Sequence, residues 1–312
     1  MKSRRTLLIL ICIASIGAIA SSPVLGAINA YSAKYQSGNL GITVDGLVSD
    51  WGNIPSFNVT LVPAIPEHVD EGGQNYSISV KSAFNDTHIA FLIAVEDDYD
   101  RASHHDNTSA LGVLFAINGG KNATRMGGTG TYANETSVGL VDIWHWELDS
   151  AYRVPAGGFD ETRNATAKNG DDPNGNLDDE YSTSSVNRFD DNGTGKENSL
   201  MGAYGHSGGG GTQPANNTAG WWYFEILRPM ITNDQYDVQF EADKTYYMNL
   251  AYWDSDQSPV GWHDDGHSVL RSADDAIELK LAKTVGTPGF EAFLAIGGFV
   301  TVGAALIVRR KK

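Results

Sequence analysis

The sequence predicts an all-β protein: a two-sheet antiparallel β-sandwich with a long polar insertion, followed by a C-terminal transmembrane helix. Three observations predict it. Short apolar runs alternate with polar, turn-forming clusters along most of the chain. Between residues 30 and 285 no window as long as a typical helix holds a 3.6-residue apolar period. The two longest hydrophobic stretches stand at the ends, outside the strand pattern.

Residues 1–27 read as a signal peptide. Lys2, Arg4 and Arg5 form a basic start, Thr6 to Ala20 is apolar or small, and Ser21 to Ala27 suits cleavage near Gly26 or Ala27. An uncleaved anchor is the alternative. The domain of residues 28–285 follows. Leu40 to Val44 is a short apolar run that stops at the turn pair Asp45-Gly46. Phe57 to Val62 alternates through Phe57, Val59 and Leu61. Ile78, Val80 and Phe84 lead into Asn85-Asp86, and Ile89, Phe91, Ile93 and Val95 lead away, which predicts a hairpin. Further strands are expected at Leu111 to Ile117, Val141 to Leu148, Trp222 to Leu227, Thr245 to Tyr252 and Ala276 to Leu281, about nine in all. Within the Val141 strand, alternation puts Trp144 and Trp146 on one face and His145 with Ile143 on the other. The segment 157–218 is rich in Gly, Asn, Asp, Ser and Thr and poor in large apolar residues, so it reads as a polar loop between two halves of the sandwich.

Residues 286–312 read as a C-terminal transmembrane anchor or a sorting signal. Phe290 to Val308 is long enough as a helix to cross a hydrocarbon core. Arg309, Arg310, Lys311 and Lys312 follow, and a basic cluster stays cytoplasmic, so the bulk of the chain is expected on the extracytoplasmic side of the cell membrane. Thr287-Pro288-Gly289-Phe290, the apolar run and the basic tail together resemble the PGF-type C-terminal sorting signal of archaeal surface proteins. That resemblance implies a tail that is cut and replaced by lipid.

Composition narrows the function. The formal net charge is -16 and the pI about 4.7, a surface that repels phosphate backbones and excludes nucleic acid as a partner. The one cysteine, Cys12, lies in the first hydrophobic segment. The exported domain is therefore without disulfides, thiolate ligands or a C-x-x-C-H site for covalent haem. The chain holds no G-x-S-x-G, H-E-x-x-H or P-loop motif and no glycine-rich dinucleotide turn after a strand, which favours a binding or electron-transfer module over an enzyme. Nine N-x-S/T sequons fit a glycosylated exterior or a composition rich in Asn. Asp172, Asn174, Asn176, Asp178 and Glu180 alternate as calcium ligands do, but Leu177 occupies the place where a calcium loop needs glycine, so a solvated acidic loop is the competing reading. His104 and His105 stand beside Asp100, Arg101 and Asp106 and read as a solvated loop before a metal site.

Several motifs in order suggest a family. They are Ile42-x-Val44-Asp45-Gly46-x-x-x-Asp50-Trp51, then Val80 to Phe91 across the hairpin turn, then Met126-Gly127 ahead of Val141-Asp142-Ile143-Trp144-His145-Trp146. Later come Trp222-x-Phe224-x-x-x-Arg228-Pro229-Met230, Asp237-Val238-Gln239-Phe240 and Ala251-Tyr252-Trp253-Asp254. Together, over about residues 38–283, they resemble the haem-binding domain of ethylbenzene dehydrogenase and dimethyl sulfide dehydrogenase gamma subunits, also called the cytochrome c-552/DMSO reductase-like haem-binding domain. The resemblance implies a sandwich holding one non-covalent haem b for electron transfer with a redox partner protein. The axial ligands would be Met126, in the Met-Gly place, and His267, where relatives carry a lysine; His145 is an alternative second ligand. A thioether–imidazole pair suits electron transfer. This chain departs from the pattern at Glu147, which stands where relatives place a lysine, and in its polar insertion. A different function class fits the same sequence: a carbohydrate-binding or surface-adhesion sandwich without haem. The Val-Asp-Gly…Asp-Trp opening also occurs in sugar-binding sandwiches, and Trp221, Trp222 or Trp262 could stack on pyranose rings.

Overall fold

The computed structural model describes residues 29–64, 75–99, 109–125, 138–148, 159–160, 177–184, 188–191, 200–209, 214–254, 267–270 and 275–283. These form an all-β domain of two facing layers. One layer runs β3 (Ser56–Pro63), β4 (Tyr76–Phe84), β5 (His88–Tyr99), β12 (Thr218–Pro229), β11 (Met201–His206) and β8 (Phe159–Asp160). The other runs β10 (Arg188–Asp190), β9 (Leu177–Ser184), β7 (Val138–Glu147), β6 (Ala110–Ala116) and β13 (Thr245–Trp253). β13 continues into β14 (Ser268–Val269) and β15 (Ile277–Lys280), and the pairing of β14 with β3 joins the two layers along one side.

The layers meet over alternating inward residues. From β5 come Ile89, Phe91, Ile93 and Val95, from β7 Trp144 and Trp146, and from β12 Trp222, Phe224 and Ile226, all 1% exposed or less. The aromatic rings interlock: Phe115 and Trp144 lie 4.6 Å apart between centroids, Phe91 and Trp144 5.5 Å, and Phe115 and Phe240 5.3 Å. Aromatic pairs at such separations prefer tilted or edge contacts, as here, and add to the free energy of burying their area.

The hairpin at Asn85-Asp86 forms as expected. Asn85 Oδ1 accepts from the Thr87 and His88 N–H groups at 2.8 and 2.7 Å, and this Asx turn sets the register Phe84–Ile89. The face assignment of Trp144, Trp146 and His145 also holds.

Three expectations need correction. The segment 157–218 is not simply a polar loop, because β8, β9, β10 and β11 lie within it. Their stability comes from backbone pairing to β7 and β12 and from a few apolar anchors, Leu177, Leu200 and Tyr204, which a composition average hides. Leu40 to Val44 forms no strand. Gly41 sits at φ +65, Asn39 Oδ1 accepts from Gly41 N at 2.9 Å, and Asp50 accepts from Thr43 N at 2.6 Å, so local side chains replace a ladder. The sandwich is also not purely antiparallel, since β1 (Ala30–Ser32) joins β15 in parallel and β2 (Lys34–Tyr35) joins β4 in parallel. Among the described residues no helix is long and apolar enough to cross a membrane; both the 1–27 leader and the 286–312 anchor expected from sequence lie outside them.

Candidate functional site

β12 is the strand on which core and surface part. Its even residues Trp222, Phe224 and Ile226 enter the core, so Trp221, Tyr223, Glu225 and Leu227 face outward. Register fixes their neighbours. Trp221 stands opposite the exposed Glu96, and Tyr223 opposite Ala94. Ala94 is flanked on its other side by Ser79, and Ser79 by the exposed Asn58. The next pair along β3 and β4 is Thr60 with Ser77, both exposed. Strands lie about 4.8 Å apart, so two half-buried aromatic rings continue sideways into rows of hydroxyl, amide and carboxylate groups. The small side chain of Ala94 keeps the floor between Ser79 and Tyr223 low. Ser207 Oγ accepts from the Trp221 N–H at 2.9 Å and fixes the backbone there.

One border of this face is the segment that carries the Val-Asp-Gly…Asp-Trp motif. Leu40, Trp51 and Ile54 from it cover Ala83, Ala90 and Leu92 on the same outer surface. Its anchor is Glu225, fully buried, whose carboxylate accepts from Asp45 N at 2.9 Å, Gly46 N at 2.6 Å and Trp51 Nε1 at 2.5 Å. Burial pushes this carboxyl up to about 7, against the pull of those three donors. Gly46 is required twice over. Its φ is +75, and a Cβ there would stand 2.4 Å from the Tyr204 carbonyl; a Cβ on Gly205 would meet the Gly46 carbonyl at 2.2 Å. The motif was visible in the sequence, but its partner Glu225, some 180 positions away, was not; the signal would have been a charged residue on an otherwise apolar-aromatic strand.

On the inner side β12 delivers a second charge. Arg228, 1% exposed, pairs with Asp142 at 2.7 Å and Asp237 at 3.0 Å, and its guanidinium lies 5.3 Å from the Trp144 ring. Asp142 also accepts from Val238 N at 2.8 Å. Burial raises the pKa of Asp142 and of Asp179, with the neighbouring Asp237 adding to both; Arg228 opposes the rise. Asp142, Asp179 and Asp237 bring carboxylate oxygens within 4.8 Å of one another, a spacing that could gather round a metal ion. The cluster already contains Arg228 as its cation, and its geometry explains the Arg228-Pro229 and Asp237-Val238 motifs as a structural tie between β7, β12 and the segment after β12.

The residues expected to hold haem are distributed as follows. Met126 lies outside the described residues, one position beyond Arg125, which ends a 3-10 turn over Gly120–Thr124. His267 is described. Its ring stacks on Trp253 at 4.7 Å and 21°, on the outer face of the β13 layer. His145 is on that outer face too, 5.4 Å from the Trp253 ring, with Glu180 at 3.7 Å from its Nδ1. Of the calcium pattern, Asp172, Asn174 and Asn176 lie outside the described residues, whereas Asp178 and Glu180 belong to strand β9. His104, His105 and Trp262 also fall outside them. Trp222 is corrected from a surface candidate to a core residue, 1% exposed and packed on Tyr99 and His206.

The profile of the family described as ethylbenzene dehydrogenase matches residues 48–265, and the chain belongs to that family. No curated protein matches it in sequence. Among solved structures it is similar to a candidate carbohydrate-binding protein from Bacteroides uniformis, at 8% identity and a TM-score of 0.44, covering 81% of this chain and 99% of that one. It is also similar to a carbohydrate binding module of family 9 from Caldicellulosiruptor kristjanssonii, at 10% identity with glucose bound (TM-score 0.34) and 9% with cellotriose bound (TM-score 0.36). Each of these covers 83% of this chain, and 100% and 98% of the respective module.

The expectation of a haem b electron-transfer module is corrected by the packing between the layers. Between the layers Phe91, Phe115 and Phe240 pack around Trp144, and His267, expected as an axial ligand, stands on the opposite, outer side of its sheet.

Proposed function

We propose that this member of the ethylbenzene dehydrogenase family is a carbohydrate-binding or surface-adhesion module, working without haem and without catalysis, whose site is the outer face built by Trp221 and Tyr223. The observation that carries the reading is the placement of these two aromatic rings, two residues apart on one strand, beside a row of polar side chains from Glu96, Ser79, Asn58, Ser77 and Thr60. A pyranose ring offers axial C–H groups on its face and hydroxyls round its rim. An aromatic ring supplies the partner for the first, and hydroxyl, amide and carboxylate groups supply hydrogen bonds for the second. The face belongs to paired strands and is preformed, so little ordering opposes binding.

The same reading places the module outside the cell. Residues 1–27 act as the export signal, and residues 286–312 hold the domain at the membrane, either as a retained span or as a PGF-type sorting signal exchanged for lipid. A tethered binder needs only modest affinity per site, because many copies on one surface act together.

The test is binding to a glycan array and to insoluble polysaccharides by the full chain and by Trp221→Ala and Tyr223→Ala. Retention of at least one glycan by the parent chain and its loss in Trp221→Ala supports the reading. Equal retention by the parent and both variants moves the site elsewhere, and no retention of any glycan removes the carbohydrate assignment.

A further inference from the structure

The aromatic face carries a second feature: its charge. β5 sends alternate residues outward, and after Ala94 these are Glu96 and Asp98. Glu96 is exposed directly opposite Trp221, and Asp98 is half-buried opposite Ala219. Two carboxylates therefore occupy consecutive outward positions of β5, one directly opposite Trp221 and the other opposite Ala219. Lys81 lies on the same face, but its ammonium donates to the Trp51 carbonyl at 2.9 Å and points into the covering segment. The field of the whole chain has the same sign, with a formal net charge of -16.

Resting on the carbohydrate reading above, we propose that this face selects glycans bearing free, protonated amino groups, as in deacetylated polymers of glucosamine. The ring face of Trp221 attracts a cation through its quadrupole as well as stacking on a sugar. Glu96 and Asp98 supply the counter-charge on the neighbouring strand, where an ammonium can donate to both. Anionic glycans such as polyuronates meet two carboxylates and an acidic surface and are rejected. Neutral glycans retain the stacking and lose the charge pairing.

The experiment is calorimetric titration of the full chain with deacetylated chitosan oligosaccharides, fully acetylated chitin oligosaccharides of the same length and polygalacturonate oligosaccharides, at low and high salt. The expected result is binding of the deacetylated oligomer about tenfold tighter than the acetylated one at low salt, a preference that shrinks at high salt. The double substitution Glu96→Gln, Asp98→Asn should abolish that preference, so that the two oligomers bind alike, and leave the melting temperature unchanged. Equal affinity for both oligomers, or a preference untouched by the double substitution, overturns the amine selectivity while the glycan-binding reading stands. Silence toward all three ligands together with silence on the array overturns both.

Discussion

Trp221 and Trp222 are neighbours in the chain and opposites in role. Trp222 is 1% exposed, with its ring among Tyr99, Tyr204 and Phe224 and its indole N–H on the Asp98 carbonyl at 3.2 Å. Trp221 is half-buried beside an exposed carboxylate. The contrast extends along the whole strand. The inner side of β12 ends in Arg228, a charge balanced by fixed carboxylates. The outer side holds Glu225, a charge met only by dipolar N–H groups. One strand thus builds the core with one face and, at Trp221 and Tyr223, the proposed binding surface with the other, so Trp222→Ala and Trp221→Ala should separate stability from binding.

The largest loss of stability is expected from the inner face. Trp222→Ala opens a cavity between the layers, and Arg228→Ala leaves buried carboxylates without their cation; each should cost about 3–5 kcal/mol in denaturant unfolding. A cost near zero for Arg228→Ala would mean that the cluster is not the tie between β7, β12 and the following segment.

Next comes a pH effect from Glu225. Its folded pKa is raised from 4.5 to about 7, so the folded state holds this proton more tightly than the unfolded chain does. The contribution is fully present below the unfolded value. It is lost as pH rises through the folded one, by roughly 3 kcal/mol between these limits. Asp142, also raised, acts with the same sign. Unfolding free energies measured across this window should fall with rising pH, and Glu225→Gln should flatten the profile. Glu225→Gln itself keeps one acceptor oxygen but turns an amide NH2 toward donors that the other carboxylate oxygen had served, and is expected to cost about 1–3 kcal/mol. The smallest change should follow Trp221→Ala, within about 0.5 kcal/mol of the parent, because its ring builds no part of the core. A loss as large as that of Trp222→Ala would erase the division between the two faces.

How much of this was legible in the sequence depends on distance along the chain. The Asn85-Asp86 hairpin and the facing of Trp144, Trp146 and His145 are local consequences of turn chemistry and period-two alternation, and both were readable. β9 and β11 were not, because they are polar strands held by backbone pairing to β7 and β12 rather than by apolar pattern. The contact of Glu225 with Asp45 and Gly46 joins segments far apart, and a single sequence holds no record of it. Of the site, Trp221 was named as a stacking candidate, but its pairing with Glu96 and Tyr223's place beside it needed the register. The haem reading leaned on Met126 and His267 as types at family positions. What it lacked was the side of the sheet on which His267 falls, which depends on the two-residue strand β14.

The most direct measurement is the affinity of the full chain and of Trp221→Ala for the best-bound glycan, alongside the melting temperature of each. The expected result is an affinity loss of at least about tenfold with the melting temperature unchanged. Unaltered glycan affinity in a folded Trp221→Ala variant would contradict it.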